Sequence, residues 1–259
     1  MSFLIVVGFV MAKIDVHGEL IVREGVFSKK EFRTDTRESC GGQGEDEHMF
    51  RWIALSLQLK TNGMNKERFI NLLRSTGRNG IEAVIDKLEE LGFFSAPAST
   101  RFHLSCEGGL LEHALNVYDA AMMVRERIVQ RNPELEEQLP VNSVILCTLL
   151  HDTCKSDIYK SAIVSRKNDA GYWEKCPGYQ VDYSGLPLGH GEKSVIMLLS
   201  WGLELTPEEM LAIRWHMTAW DLPFQNPEHK ESLSAARAKT PLCSLVQVGD
   251  SIATGLMER

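Results

Sequence analysis

The chain opens on an apolar run, SFLIVVGFVM (2–11), whose length and bounds predict a buried strand. No Lys or Arg precedes it and no small-residue cleavage pattern follows. It also falls far short of the ~20 residues of a membrane span. A strand therefore fits better than a secretory signal. The following KIDVHGELIV (13–22) predicts a hairpin turning at His17-Gly18. The polar, glycine-rich TRESCGGQGEDEH (36–48) then reads as a loop or linker.

From Met64 the apolar period changes to three and four. NKERFINLLR (65–74) and GIEAVIDKLEELG (80–92) predict helices, with Gly92 placed to stop the second. The loop FFSAPASTRFH (93–103) leads into the long helical segment GLLEHALNVYDAAMMVRERIVQR (109–131). In VNSVILCTLLHD (141–152), period alone leaves buried helix and buried strand both open. Turn signals KNDAG, CPG and YSGLP make 158–189 non-helical and predict a small β-hairpin or flap.

Helical texture returns in EKSVIMLLSWG (192–202), ended by Gly202. In TPEEMLAIRWHM (206–217), Thr206 is placed to cap, Pro207 takes the first position and Glu209 suits a capping box. A last helix is predicted from Pro241 through LCSLVQVGDSIA. The expected fold class is mainly α. Residues 1–63 form an N-terminal extension, strand-like and then linker, and 64–259 form the principal domain. The change of texture at Met64 marks the extension as either an appended element or a product of start-site choice.

Composition narrows the function more than the fold. At 259 residues, 44% hydrophobic and 24% charged, the chain suits an ordinary globular protein with a large core. A net charge of −7 and a pI near 5.7 argue against a broad basic surface for duplex nucleic acid, but allow a small anionic substrate in a local basic pocket. Six scattered cysteines without a CxxC pair read as reduced thiols of a cytoplasmic protein, and no membrane partner is expected. Cys154, beside a His-Asp pair, reads as packing rather than as a nucleophile.

A single helical histidine has many uses and says little. The informative feature is an ordered set: His113, His151-Asp152, His190, His216 and Asp250, each beside apolar helix residues. Imidazoles and carboxylates without thiolate suit iron, manganese, nickel, cobalt or zinc, and disfavour a closed structural zinc site. Such ionisable groups are costly to bury unless paired or bound to a metal.

On these residues the chain resembles the HD-domain metal-dependent phosphohydrolase superfamily. GGLLEH (108–113) is similar to its first-histidine helix, and HDTCK (151–155) to its signature HDxxK. GHGEKS (189–194) and IRWH (213–216) are similar to the extra-histidine segments of the dinuclear branch, and VGDSIA (248–253) to its closing aspartate helix. APASTRFHLSCEGGLLEH (96–113) also resembles exoribonuclease-like and phage-associated members. The resemblance spans about residues 64–259. Cys154 stands where a small glycine is usual, and Gly249 where an alanine is.

The resemblance implies an HD-type helical bundle holding two divalent transition metals. His113, His151, Asp152 and Asp250 would bind the first ion; Asp152 would bridge to a second held by His190 and His216. A metal-bridging hydroxide would attack phosphorus, and Lys155, one turn after His151, would meet a phosphate oxygen. The implied substrate is a phosphate ester of a nucleotide-like small molecule or of a short nucleic-acid end. Position alone adds His103, Arg101, Lys193 and Arg214 as substrate contacts, each equally readable as a solvated or structural residue. Trp215 and Trp220 read as packing, and His17, His48 and His229 as surface. Two alternatives share the ligand set: a di-iron oxygenase of the same superfamily, and a non-catalytic metal-binding regulatory module. Lys155 disfavours the second, since a phosphate-reaching cation has no purpose there.

Overall fold

The computed structural model describes residues 3–7, 10–14, 20–24, 61–168, 170–218 and 226–258. The chain divides into two compact units, Met1–Thr61 and Asn62–Arg259. In the first, strands β1 (Phe3–Val7), β2 (Val10–Ile14) and β3 (Leu20–Glu24) form an antiparallel sheet in the order β1-β2-β3. The opening run is thus two strands, not the one predicted. Val7 pairs with Val10, and Ile14 with Leu20. A continuous apolar run carries no period that marks such a reversal. His17-Gly18 and the expected linker at 36–48 lie outside the described residues.

The second unit is mainly helical. The helix over 61–75 (α1) starts three residues before the change of pattern at Met64. Helices α2 (Ile81–Glu90) and α3 (Gly109–Arg131) follow the predicted segments, and Gly92 past α2 takes the left-handed conformation (φ 73°) that glycine adopts without strain. The open choice at 141–152 resolves as a helix, α4 (Val141–Leu150), followed by the short α5 (Lys155–Ile158). Eight consecutive residues of α4, Ser143–Leu150, are buried, so the helix is apolar all round and shows no face.

The predicted hairpin is present as β4 (Tyr159–Lys167) paired antiparallel with β5 (Trp173–Val181). Helices α6 (His190–Ser200) and α7 (Pro207–Arg214) follow. The α7 capping box forms as its spacing predicts: Thr206 Oγ1 accepts from the Glu209 N–H, and Glu209 accepts from the Thr206 N–H. Helix α8 (Pro227–Lys239) was not anticipated, although Asn226 caps it and Pro227 opens it. Its mostly polar composition and only two buried residues, Leu233 and Ala236, explain the weak signal. Helix α9 (Leu242–Ile252) closes the bundle.

The core is built where these helices meet, with Phe69, Leu73, Leu110, Leu146, Leu198 and Val246 at or near zero exposure. Two close approaches bring the chemistry-bearing residues together. A Cβ on Gly191 would lie 2.3 Å from the Arg214 carbonyl oxygen, so glycine lets α6 meet the end of α7 and sets His190 near His216. A Cβ on Gly249 would lie 2.9 Å from the Val117 oxygen and 3.0 Å from the Ala121 Cβ, so α9 lies tight against α3 and brings Asp250 to His113. Among the described residues no helix is long and apolar enough to cross a membrane.

Candidate metal centre

His113 of α3, His151 and Asp152 after α4, His190 of α6, His216 past α7 and Asp250 of α9 converge in one buried place. The donor atoms of His113, His151 and Asp152 lie within 4.8 Å of one another, as do those of Asp152, His190 and His216. Those of His151, His216 and Asp250 do so as well. Asp152 stands between two imidazole pairs. Its Oδ2 is 3.3 Å from His113 Nε2 and 3.2 Å from His151 Nε2. Its Oδ1 is 2.5 Å from His190 Nε2 and 3.4 Å from His216 Nε2. Asp250 Oδ1 lies 3.5 Å from His113 Nε2.

Each ring is turned by a partner on its other nitrogen. His151 Nδ1 donates to the Thr148 carbonyl (2.8 Å) and His216 Nδ1 to the Ile213 carbonyl (2.7 Å). A carbonyl can only accept, so Nδ1 carries the hydrogen and the neutral ring aims the Nε2 lone pair inward. His113 Nδ1 meets the Glu258 carboxylate at 3.0 Å, and His190 Nδ1 lies 3.5 Å from Cys154 Sγ. The Nε2 atoms of His113 and His151 then face each other at 3.2 Å, two lone pairs that need a shared cation, either a proton or a metal ion. The buried His216 Nε2 has no hydrogen-bond partner among the described residues. Four inward nitrogens around a carboxylate suit a borderline divalent ion, so the residues present fit a metal.

Electrostatics point the same way. Burial pushes the Asp152 carboxyl up, but Lys155 and the surrounding imidazoles outweigh it and hold the group well below the usual carboxylate range. Burial disfavours charge on His113, yet Asp152 and Glu258 raise it to about 9. Burial opposes charge on His190 too, and Cys154 and Asp152 raise it to about 10. Burial keeps His216 and His103 below the ordinary histidine value. The Asp152 charge that raises His113 and His190 would also favour a divalent cation, which would have to displace their protons.

Lys155 is placed by a local tightening of the backbone. After Leu150 the N–H of Thr153 donates to Leu150 (3.2 Å), that of Lys155 to Asp152 (2.9 Å) and that of Ser156 to Thr153 (3.3 Å). These are three-residue steps, which eclipse residues three apart. A continued α-helix would set Lys155 over His151. The tighter turn stands it over Asp152 instead, with Nζ 2.5 Å from Oδ2.

Beside the cluster lies a cavity of about 620 Å³, lined by Asp152, Lys155, His190, His216 and Asp250 together with His103 and Phe102. Ser99, Thr218, Gln247 and Thr254 add hydroxyl and amide groups. His103 thus reaches the cavity, its ring centroid 5.1 Å from that of His113. The other three substrate contacts expected from position do not reach it. Lys193 is fully buried and pairs with Asp157, because its place on α6 turns it away from His190's cavity side. Arg214 binds Glu192 at 2.7 Å and stacks on Trp215, as a residue two before His216 faces another direction. Arg101 is exposed on the loop and lines no part of the cavity.

Trp215 is buried in the core, and Trp220, His17 and His48 lie outside the described residues. His229 is half-buried rather than a surface residue. Sequence reasoning missed Glu258, whose spacing from Asp250 carries no recognisable pattern, and the glycine of GHGEKS, whose role at the α6–α7 contact a close-approach reading could have found. No family model, curated protein or solved structure matches this chain.

Proposed function

We propose that this chain is a metal-dependent phosphohydrolase of the HD-domain type, acting on a phosphate ester of a nucleotide-like small molecule with two divalent ions. The observation that carries this reading is the division of Asp152: one carboxylate oxygen faces His113 and His151, the other His190 and His216. Under this reading His113, His151, Asp152 and Asp250 would hold one ion, and Asp152, His190 and His216 the other. When bound, the ions supply Lewis acidity, making water a nucleophile near neutral pH and offsetting phosphate charge.

The protein's own groups then orient and exclude. Thr148, Ile213, Glu258 and Cys154 hold the rings so that Nε2 points inward. Lys155 keeps its proton, since Asp152 raises its pKa against burial, and offers a fixed positive charge at the cavity wall. The cavity has the volume of a small-ligand site, and its mixture of hydroxyl, amide and apolar groups suits a neutral nucleoside-like body. The test is anaerobic purification with metal analysis, followed by a panel of phosphate esters assayed with Mn, Fe, Ni and Co. Metal-stimulated release of phosphate or nucleoside supports the proposal. Two irons with oxygen consumption and no hydrolysis would overturn it in favour of the oxygenase.

A further inference from the structure

Glu258 lies outside the six expected ligands, yet its side chain is fully buried against one of them. The chain leaves α9 through a π-helical turn, Ala253–Met257. There Thr254 Oγ1 donates to the Asp250 carbonyl (2.9 Å) and the Glu258 N–H to the Ala253 carbonyl (3.0 Å). This path brings the carboxylate back beside α3. Glu258 Oε1 accepts from His113 Nδ1 at 3.0 Å and from Asn116 Nδ2 at 3.1 Å. Its Oε2 lies 3.2 Å from His113 Nδ1 and 3.9 Å from His103 Nε2. Glu258, His103 and His113 form a further group with donor atoms within 4.8 Å of one another. Toward the six-residue cluster, however, Glu258 meets Nδ1 while Nε2 faces inward, so it reaches that cluster through the ring.

The four orienting partners are not equivalent. His151 and His216 give Nδ1–H to backbone carbonyls, and His190 faces a thiol. Only His113 among the four faces a carboxylate. A carboxylate behind a ligating imidazole fixes its tautomer and strengthens Nε2 as a donor. Negative charge is also uneven across the centre. Asp250 lies 3.5 Å from His113 Nε2 and also within 4.8 Å of His151 and His216, so it serves both sides. Glu258 stands behind His113 alone among the four rings and adds its charge to that side. A divalent ion gains from each nearby anion in a buried, weakly screened place.

We infer that Glu258 is a positioning residue that makes the His113 side of the centre the tighter metal site and the first to fill. The inference rests on the two-ion reading above. It assigns the order of loading, with the His190 and His216 side taking the more exchangeable ion.

The test is calorimetric titration of the chelator-stripped full chain with Co²⁺, with the visible Co²⁺ spectrum followed in parallel. Wild type is expected to show two classes. Glu258→Gln keeps the shape but removes the charge, and should weaken the tight class by roughly 10–100-fold while leaving the weak class nearly unchanged. It should also change the spectrum of the first equivalent and not that of the second. Asn116→Ala, at a half-buried position, removes one bond to Glu258 and should give a smaller loss in the same class. Equal weakening of both classes, or no change in either, overturns the assignment. Should Glu258→Gln fail to fold by circular dichroism, an unchanged tight class in Asn116→Ala overturns it. A single class in wild type counts against two ions instead, and its weakening or persistence in Glu258→Gln still decides the role of Glu258.

Discussion

His113 and His151 point their Nε2 atoms at each other across 3.2 Å, each with its Nδ1 committed to an acceptor. The contact is tolerable only with a cation shared between them, and proton and metal therefore compete. His113 and His190, raised to about 9 and about 10, hold protons at neutral pH when metal has been stripped away. Metal affinity should therefore climb as pH rises from 6.5 towards 9, with protons released on binding near pH 8. Calorimetry in buffers of different ionisation enthalpy measures that release; pH-independent affinity would contradict the picture.

The same shifts set the stability of the stripped chain. A raised histidine contributes stability that is fully present below its unfolded pKa of ~6.5, and loses it as pH rises through the folded value. For His113 and His190 that loss falls between pH 6.5 and about 9 to 10. Asp152, held low, contributes above the ordinary carboxylate value and loses its contribution on acidification. Urea midpoints in chelator should therefore decline from pH 6.5 to pH 10, whereas metal-loaded protein should lack that alkaline decline.

Lys155 has its Nζ on Asp152 and its side chain at the cavity wall. Lys155→Met should leave metal stoichiometry intact, since no donor atom is removed. It should lower kcat/KM for a responsive phosphate ester by roughly 10–100-fold, as expected for a lost charge-assisted bond of ~1.5–3 kcal/mol. Metal analysis alongside kinetics separates the two effects.

Glu209 carries structure rather than chemistry. Its fully buried carboxylate binds Arg78 through two bonds of 2.7 and 2.8 Å, accepts from Ser143 at 2.6 Å and closes the α7 capping box. Glu209→Ala leaves Arg78 without its main counter-charge and should cost roughly 3–5 kcal/mol in urea unfolding, the range for breaking a buried pair.

Gly249 lets α9 pack closely on α3. Gly249→Ala would press a methyl onto Val117 and Ala121 and should cost ~1–3 kcal/mol by overpacking. It should also weaken metal binding by moving Asp250. Thermal denaturation with metal titration checks both.

Much of the helical order was legible because its signals are local. The capping box at Thr206 and Glu209 and the turn residues around 158–189 act within a few residues of themselves. The six-residue cluster was legible as an ordered set, because each member sits on or just past a helix with buried apolar residues. Features set by distant backbone were not. Lys193 and Arg214 are drawn away by Asp157 and Glu192, partners that helix position alone does not supply. Glu258 reaches His113 through a π-turn with no sequence signature, and the break between β1 and β2 hides inside an unpatterned apolar run.

The central claim is that Asp152 joins two metal sites in one reactive centre. The most direct measurement is the metal content and phosphoesterase activity of Asp152→Ala beside wild type, both purified without oxygen, with circular dichroism to verify the fold. The account predicts about two ions per wild-type chain, as expected for a two-metal clamp, and loss of both metal and activity in a variant that keeps its helices. A variant that folds, retains its metal and remains active would contradict it.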